Sequence, residues 1–317
     1  MPRLISIVGP TGTGKSDLAI AVVEALAGEG HLAEIVNTDS MQFYRGMNIG
    51  TAKLAESERR GVTHHLIDWL DVTDESTAAE YQIKAREVIE GIQARGSMPI
   101  LVGGSMLYIA AVLNTFEFPG QDEQLRAQLE QELIEVGPGL MHRKLQQLDP
   151  VAASRIDPLN GRRIVRAIEI VSVTGEPFAA SLPDEPESWQ PVLEIGLNSD
   201  RAHLVDRLNQ RVERMWQLGL LDEVEQLIEH GLREAKTSKR AIGYAQALAQ
   251  LDGELTQEEA IEQTKLLTSR YARRQMSWFR RDKRILWLDY QDARARDKAT
   301  EHSLRWAATG ALPTVGE

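Results

Sequence analysis

The sequence predicts an α/β fold, a parallel sheet flanked by helices that carries an all-helical insertion, and three observations lead there. Short apolar runs alternate with amphipathic helical stretches, a glycine-rich turn joins the first run to the first helix, and strand character disappears between residues 120 and 189. A chain of 317 residues is long enough for one large domain with an insertion, or for two domains.

The elements follow in order. LISIV (Leu4 to Val8) is apolar, β-branched and closed by Gly-Pro, which suits a buried parallel strand. KSDLAIAVVEALAGEG sets Leu18, Val22 and Leu26 on one helical face, with Gly28 and Gly30 as stop signals. AEIVNTDS reads as a second strand ending at Thr38-Asp39-Ser40. A helix with the face Tyr81, Ala85, Val88, Ile89 and Ile92 precedes the strand PILVGG. After Phe118-Pro119-Gly120 the texture changes: Gln121 to Thr174 is helical, broken by VGPG and DP, and a Pro-rich passage, EPFAASLPDEPESWQP, follows. Strand character returns in PVLEIGLN. From Arg201 onward the chain is mostly helical, with a strand-like RILWLDY near the end. The expected division is therefore a core of 1–119 with 190–317, and a helical insertion of 120–189.

Composition narrows the function classes. Hydrophobic residues at 42% and charged residues at 26% are ordinary for a globular enzyme, so disorder and fibrous repeats are excluded. The absence of cysteine removes disulfides, thiolate metal sites and a cysteine nucleophile. MPRLISIVGP is too short an apolar run for a signal peptide, and no window approaches the roughly 18 apolar residues of a membrane span. A cytoplasmic monomer without membrane contact is the expectation. The formal charge of -11 argues against a polyanion partner only if the charge is spread evenly.

Gly9-Pro10-Thr11-Gly12-Thr13-Gly14-Lys15-Ser16 fits G-x-x-x-x-G-K-[ST] between a strand and a helix, the nucleotide-binding P-loop context. Loop amides and the helix N-terminus point at an anion, Lys15 neutralises phosphate oxygens, and the Ser16 hydroxyl suits Mg²⁺ held through phosphate and water. This specifies a phosphate-bearing ligand and leaves kinase, ATP-binding hydrolase and other phosphate chemistry open. NTDSMQFYRGMNIGTAK follows the second strand, where open α/β sheets bind ligands. Asp39 there would face Lys15, as a carboxylate for Mg²⁺, an acceptor hydroxyl or general-base work. His64 and His65 have Asp68, Asp71 and Asp74 nearby but no cysteine to complete a zinc site, and a structural role is preferred.

GPTGTGKS, DSMQFYRGMNIGTAK, HHLID, VGGSMLY, RRIVRAIEI and SRYARRQMSWFR occur in the order and approximate spacing of the tRNA dimethylallyltransferase family, so residues 4 to about 288 resemble it. The resemblance implies a P-loop NTPase-like core with a helical insertion. It implies transfer of a dimethylallyl group from dimethylallyl diphosphate to N6 of adenosine 37 in tRNAs that read codons beginning with U. The diphosphate is discarded, with Mg²⁺ as cofactor. By resemblance Asp39 is the general base, Arg211 reaches the diphosphate, and Gly9 to Ser16 hold it. Asp39, Ser40, Met41 and Gln42 meet the flipped base, and Ser105 stands where the family has a channel threonine.

Two segments bear on the RNA partner, the tRNA anticodon stem-loop. SRYARRQMSWFRRDKR holds Arg270, Arg273, Arg274, Arg280, Arg281, Lys283 and Arg284 against Asp282, with aromatic residues interleaved: a basic patch on an acidic chain. RRIVRAIE places Arg162, Arg163 and Arg166 on the insertion's last helix, with Ile164, Ile168 and Val171 toward its core. Arg207, Arg211 and Arg214 form a stripe opposite Leu204, Leu208, Val212 and Met215, and Arg207 and Arg214 are expected in solvent or on RNA. Ala245 in IGYAQAL replaces a basic residue common in the family, and the C-terminus has no zinc-finger spacing.

Overall fold

The computed structural model describes residues 3–115, 118, 120, 122–178 and 186–312. Pro119 and residues 179–185 of the Pro-rich passage lie outside the described residues. Contacts divide the chain into two units, Met1–Thr115 with Glu187–Glu317, and Phe116–Pro186.

The larger unit is built on six parallel strands: β1 (Leu4–Val8), β2 (Ala33–Asn37), β3 (His64–His65), β4 (Met98–Gly103), β5 (Val192–Asn198) and β6 (Leu286–Asp289). They lie side by side in the order β3-β2-β4-β1-β5-β6. β1 is central, pairing with β4 (Ile5 opposite Ile100) and with β5 (Ile5 opposite Leu193). Helices cover both faces, which is why β1 is apolar along its whole length rather than alternating: Leu4, Ile5, Ile7 and Val8 are all fully buried. The chain leaves β1 for β2 on one side and β4 for β5 on the other. That reversal opens a crevice beyond the carboxyl ends of β1 and β4.

The flanking helices are α1 (Lys15–Gly28), α2 (Ala78–Ala94) and α3 (Met106–Leu113), joined by five more after the insertion among the described residues. One core, with Leu18, Val22 and Leu26 of α1, packs on Ile5, Ile7, Ile100 and Ile195. The other sets Tyr81, Ala85, Ile89 and Ile92 of α2 against Val8, Val36 and Leu101. The Thr77-x-x-Glu80 capping box fixes the start of α2, each residue satisfying the other's backbone amide. Two-residue β3 at HHLID had no strand expectation; its length leaves no hydrophobic period to read.

The insertion unit consists of α4 (Glu123–Leu148), α5 (Pro150–Arg155) and α6 (Gly161–Thr174). Gly137, at φ 78°, followed by Pro138, kinks α4 at the VGPG segment. Leu129, Met141 and Leu145 of α4 pack on Ala152, Ile156, Ile164 and Ile168. Its limits fall a few residues from 120 and 189 because Thr115 N donates to Glu187 O at 2.9 Å and Trp189 N to Leu113 O at 2.7 Å, tying 187–189 to the sheet unit.

Beyond β5 come α7 (Arg201–Gln217), α8 (Leu220–Glu229), α9 (Tyr244–Leu251), α10 (Gln257–Phe279) and, after β6, α11 (Ala295–Thr309). Leu204, Leu208, Val212 and Met215 are the buried face of α7. No helix among the described residues is long and apolar enough to cross a membrane.

Candidate active site

The phosphate loop runs from the end of β1 to the first turn of α1. Gly14 caps α1 at φ 75°, a left-handed conformation that a side chain would strain. Inside the loop the Pro10 carbonyl accepts from Lys15 Nζ at 2.8 Å and from Thr13 Oγ1 at 2.9 Å. Thr13 is fully buried, so its hydroxyl braces the loop rather than facing a ligand. Burial lowers the Lys15 amine to about 8; the Asp39 carboxylate opposes that shift, and the Arg211 guanidinium adds to it.

Asp39 lies in the turn after β2. Its backbone N–H donates to Asn37 Oδ1 at 3.1 Å, and its Oδ1 accepts from Met41 N at 3.1 Å. The turn is anchored from β4's end: Ser105 Oγ accepts from Ser40 N at 3.0 Å and donates to Ser40 Oγ at 3.2 Å. The Asp39 charge reaches three groups, raising the Lys15 and Arg211 values against their burial and adding to the rise at Tyr271. Arg211 enters from α7, Nη1 donating to Thr11 Oγ1 and Nη2 to Thr51 O, both at 3.3 Å. Its value is lowered chiefly by burial.

Two cavities meet here. One, of about 180 Å³, is lined by Gly12, Gly14, Lys15, Ser16 and Arg207 among others. The other, of about 320 Å³, is lined by Ser40, Met41, Leu208, Val212, Met215, Ile242, Tyr244, Tyr271 and Arg274. Thr11, Asp39, Thr51 and Arg211 line both. A cationic, amide-lined chamber thus adjoins an apolar and aromatic one, with the carboxylate at their junction.

The family model described as IPP transferase matches residues 42–282. The chain belongs to the IPP transferase family. It is 53% identical over 304 residues to the tRNA dimethylallyltransferase of Clavibacter sepedonicus, covering 96% of this chain and 97% of that one. To the tRNA dimethylallyltransferase of Thermobifida fusca it is 52% identical over 307 residues, 96% of each chain. The crystal structure of the tRNA isopentenylpyrophosphate transferase from Bacillus halodurans superposes with a TM-score of 0.70 at 36% identity, over 97% of this chain and 98% of that one. A eukaryotic dimethylallyltransferase acting on tRNA superposes with a TM-score of 0.80 at 27% identity, over 99% of this chain and 81% of that one.

Of the residues singled out in the sequence, the tertiary structure gathers the loop, Asp39, Ser40, Met41, Gln42, Ser105 and Arg211 into this crevice. Gln42 Nε2 donates to the Thr51 carbonyl at 3.2 Å, beside Arg211. On α10, Arg270, Arg273 and Arg274 are exposed, and Arg274 lies over the Tyr271 ring at 5.7 Å at the apolar cavity. Arg284 of the same basic run is engaged elsewhere: Asp282 lies 2.6 Å and buried Glu194 3.2 Å from its guanidinium. In the insertion unit Arg162 and Arg163 are exposed, while Arg166 is paired with fully buried Glu169 at 3.0 Å, as is Arg126 at 2.7 Å. His64 lines the cationic chamber with Nδ1 2.8 Å from Val62 O, and His65 Nε2 lies 2.7 Å from Glu34. No cluster of three or more His, Asp or Glu suited to a metal ion occurs among the described residues.

Sequence reading missed Gln275. Nearly fully buried on α10, it accepts from Thr11 N at 2.9 Å and donates to Gly104 O at 2.8 Å, so the phosphate loop is braced by the end of β4. Because Thr11 N is committed to Gln275, that amide already has its acceptor within the protein. A glutamine on the buried face shared with Ala272 and Phe279 was the available signal, since a buried amide must have partners. Burial first, then the Asp39 charge, push the Tyr271 phenol up to about 12 against the opposing influence of Ser105, Arg274 and Gln275, so it stays protonated. Thr51 was also missed, because its contribution is a backbone carbonyl.

Proposed function

We propose that this chain transfers the dimethylallyl group of dimethylallyl diphosphate to N6 of adenosine 37 in the anticodon loop of tRNA, releasing diphosphate. The observation that carries the reading is the junction of a cationic chamber with an apolar one at Thr11, Asp39, Thr51 and Arg211. The diphosphate lies on the loop amides and Lys15, and the allylic carbon faces the junction. The adenine enters through the apolar chamber, flipped out of its stack.

The reaction is a displacement. A bond forms from N6 to the allylic carbon as the bond from that carbon to the diphosphate oxygen breaks, and the amine proton passes to Asp39. Charge on the leaving group grows as the bond breaks, so Lys15 and Arg211 stabilise the transition state more than the ground state. Burial makes them effective there and costs no reorganisation at the moment of reaction. Met41 N and the Ser40–Ser105 bonds hold Asp39 in place, which matters because a misplaced base loses most of its effect.

The donor set fits Mg²⁺. Ser16, in the first turn of α1, brings a hydroxyl to the chamber, and the lack of an all-protein carboxylate cluster among the described residues matches an ion held mainly through substrate phosphates and water. When bound it would supply further positive charge at the leaving diphosphate.

The test uses the full chain with Mg²⁺, dimethylallyl diphosphate and an unmodified anticodon stem-loop carrying adenosines 36 to 38, followed by digestion and nucleoside mass measurement. A prenylated adenosine that vanishes when adenosine 37 is replaced by guanosine is expected. Prenylation of free AMP alone, or phosphorylation dependent on ATP, would overturn the acceptor assignment.

A further inference from the structure

Arg207 and Arg211 stand one turn apart on α7, and with Lys15 both line the phosphate chamber. Like charges at this spacing repel; burial already depresses the Arg211 guanidinium, and the Arg207 charge depresses it further. Three cations converge where Asp17 and Asp39 are the only carboxylates among the lining residues described. The cluster is therefore short of negative charge.

Arg207 is exposed, and an exposed arginine ordinarily samples many rotamers. This one is held. Its guanidinium carbon lies 4.9 Å from the centre of the Tyr290 ring, and Nη1 donates to the Tyr290 phenol oxygen. Tyr290, just after β6, is fixed in turn by its N–H, which donates to Asn198 O at 2.9 Å. The same ring lies against the phosphate loop: a Cβ added to Gly14 would come within 3.2 Å of Tyr290 Cε2. One aromatic side chain thus touches the cap of the phosphate helix and presents a cation toward the chamber.

We propose that Arg207 is a third cation of the diphosphate site, on its solvent side, and that Tyr290 is its positioning residue. This rests on the prenyl diphosphate reading and deepens it. Lys15 and Arg211 serve the inner side of the chamber, and an outer guanidinium gains a partner only when a second phosphate group is present. Arg207 then discriminates a diphosphate from a single phosphate, and its grip on the product diphosphate must be released before turnover.

The experiment titrates the full chain with inorganic diphosphate and, separately, inorganic phosphate at fixed Mg²⁺, for the parent, Arg207→Gln, Arg207→Lys and Tyr290→Phe. Binding of the anticodon stem-loop is measured alongside. Loss of a charge-assisted contact predicts at least about tenfold weaker diphosphate binding for Arg207→Gln, with phosphate and stem-loop binding changed less than about twofold. Arg207→Lys should recover part of the loss. Tyr290→Phe keeps the ring on Gly14 but loses the oxygen, and should show a smaller loss confined to diphosphate. Diphosphate affinity within about twofold of the parent in Arg207→Gln would overturn the proposal, and a loss confined to the stem-loop would make Arg207 an RNA contact. Equal weakening of all three ligands with a lower melting temperature would reduce it to a structural role. Failure of prenyl transfer in the parent, with diphosphate binding still dependent on Arg207, would remove the acceptor reading and leave this site standing.

Discussion

Raising the pH across the Lys15 titration should move ligand affinity and fold stability in opposite directions. Burial holds this amine at about 8 rather than 10.5, so without ligand it is about nine-tenths charged at pH 7 and about one-tenth charged at pH 9. A diphosphate seated against it favours the ammonium, so above pH 8 binding must take up a proton. Affinity should then fall about tenfold per pH unit, reaching roughly thirtyfold weaker at pH 9.5 than at pH 6.5. The stability sign is the reverse. Between 8 and 10.5 the unfolded chain holds a proton that the folded chain has released, so stability of the unliganded protein rises with pH in that window. At about 1.36 kcal/mol per proton and pH unit, and with the folded amine still half charged at pH 8, the Lys15 contribution between pH 8 and 9.5 is about 1.6 kcal/mol. Calorimetric titration with dimethylallyl diphosphate in two buffers of different ionisation enthalpy counts the protons taken up at pH 9, and urea melts give the stability slope. The ratio of the parent to Lys15→Met cancels the ligand's own ionisation. Flat relative affinity from pH 7 to 9.5 with no proton uptake would refute the reasoning.

Asp39→Asn should retain dimethylallyl diphosphate and stem-loop binding while prenyl transfer falls at least about a hundredfold; transfer within tenfold of the parent in a single-turnover assay would move the proton to another acceptor. Gly50→Ala should cost about 1–3 kcal/mol in a urea melt, because its Cβ would lie 2.4 Å from Tyr244 Cε2. The ring cannot yield easily, since Tyr244 donates to Glu223 at 2.6 Å and Glu223 also accepts from Ile49 N at 2.8 Å; an unchanged midpoint would contradict this. Burial raises Glu194 to about 7, with Arg284 opposing the shift and Asp282 adding to it. The folded chain therefore keeps a proton that the unfolded chain has lost between 4.5 and 7, and stability falls as pH rises through that window. Glu194→Gln should remove that slope, and identical pH profiles for variant and parent would show that the carboxyl does not titrate there.

Local chemistry was legible in the sequence wherever a few consecutive residues complete a structure. The phosphate loop needs only glycines at fixed offsets between a strand and a helix, and the Asp39 turn closes on its own neighbours, Asn37 and Met41. The strands LISIV, PILVGG and PVLEIGLN announce themselves because a sheet covered on both faces demands continuous apolar runs. Charge runs were less informative. Arg166 pairs with Glu169 three residues on in its own helix, but that Glu169 is buried and also takes Arg126 of α4 is not written in the segment. Arg284 looks like its neighbour Arg281, yet it answers Glu194 of β5, and nothing in its own segment marks which arginine that distant acid will claim.

Sequence by itself determined the fold class, the phosphate loop, the base candidate and the family resemblance, because each rests on spacing within one segment or on the order of segments. Tertiary structure alone decided that the loop is braced by Gln275, 264 residues from Thr11, that the Thr51 carbonyl receives Arg211 from 160 residues away, and that Tyr290 holds Arg207 beside the phosphate loop. The physical reason is the strand order β3-β2-β4-β1-β5-β6: which helices overhang β1's carboxyl end follows from how the sheet is wound. A single hydrogen bond leaves no periodic trace in the chain that makes it.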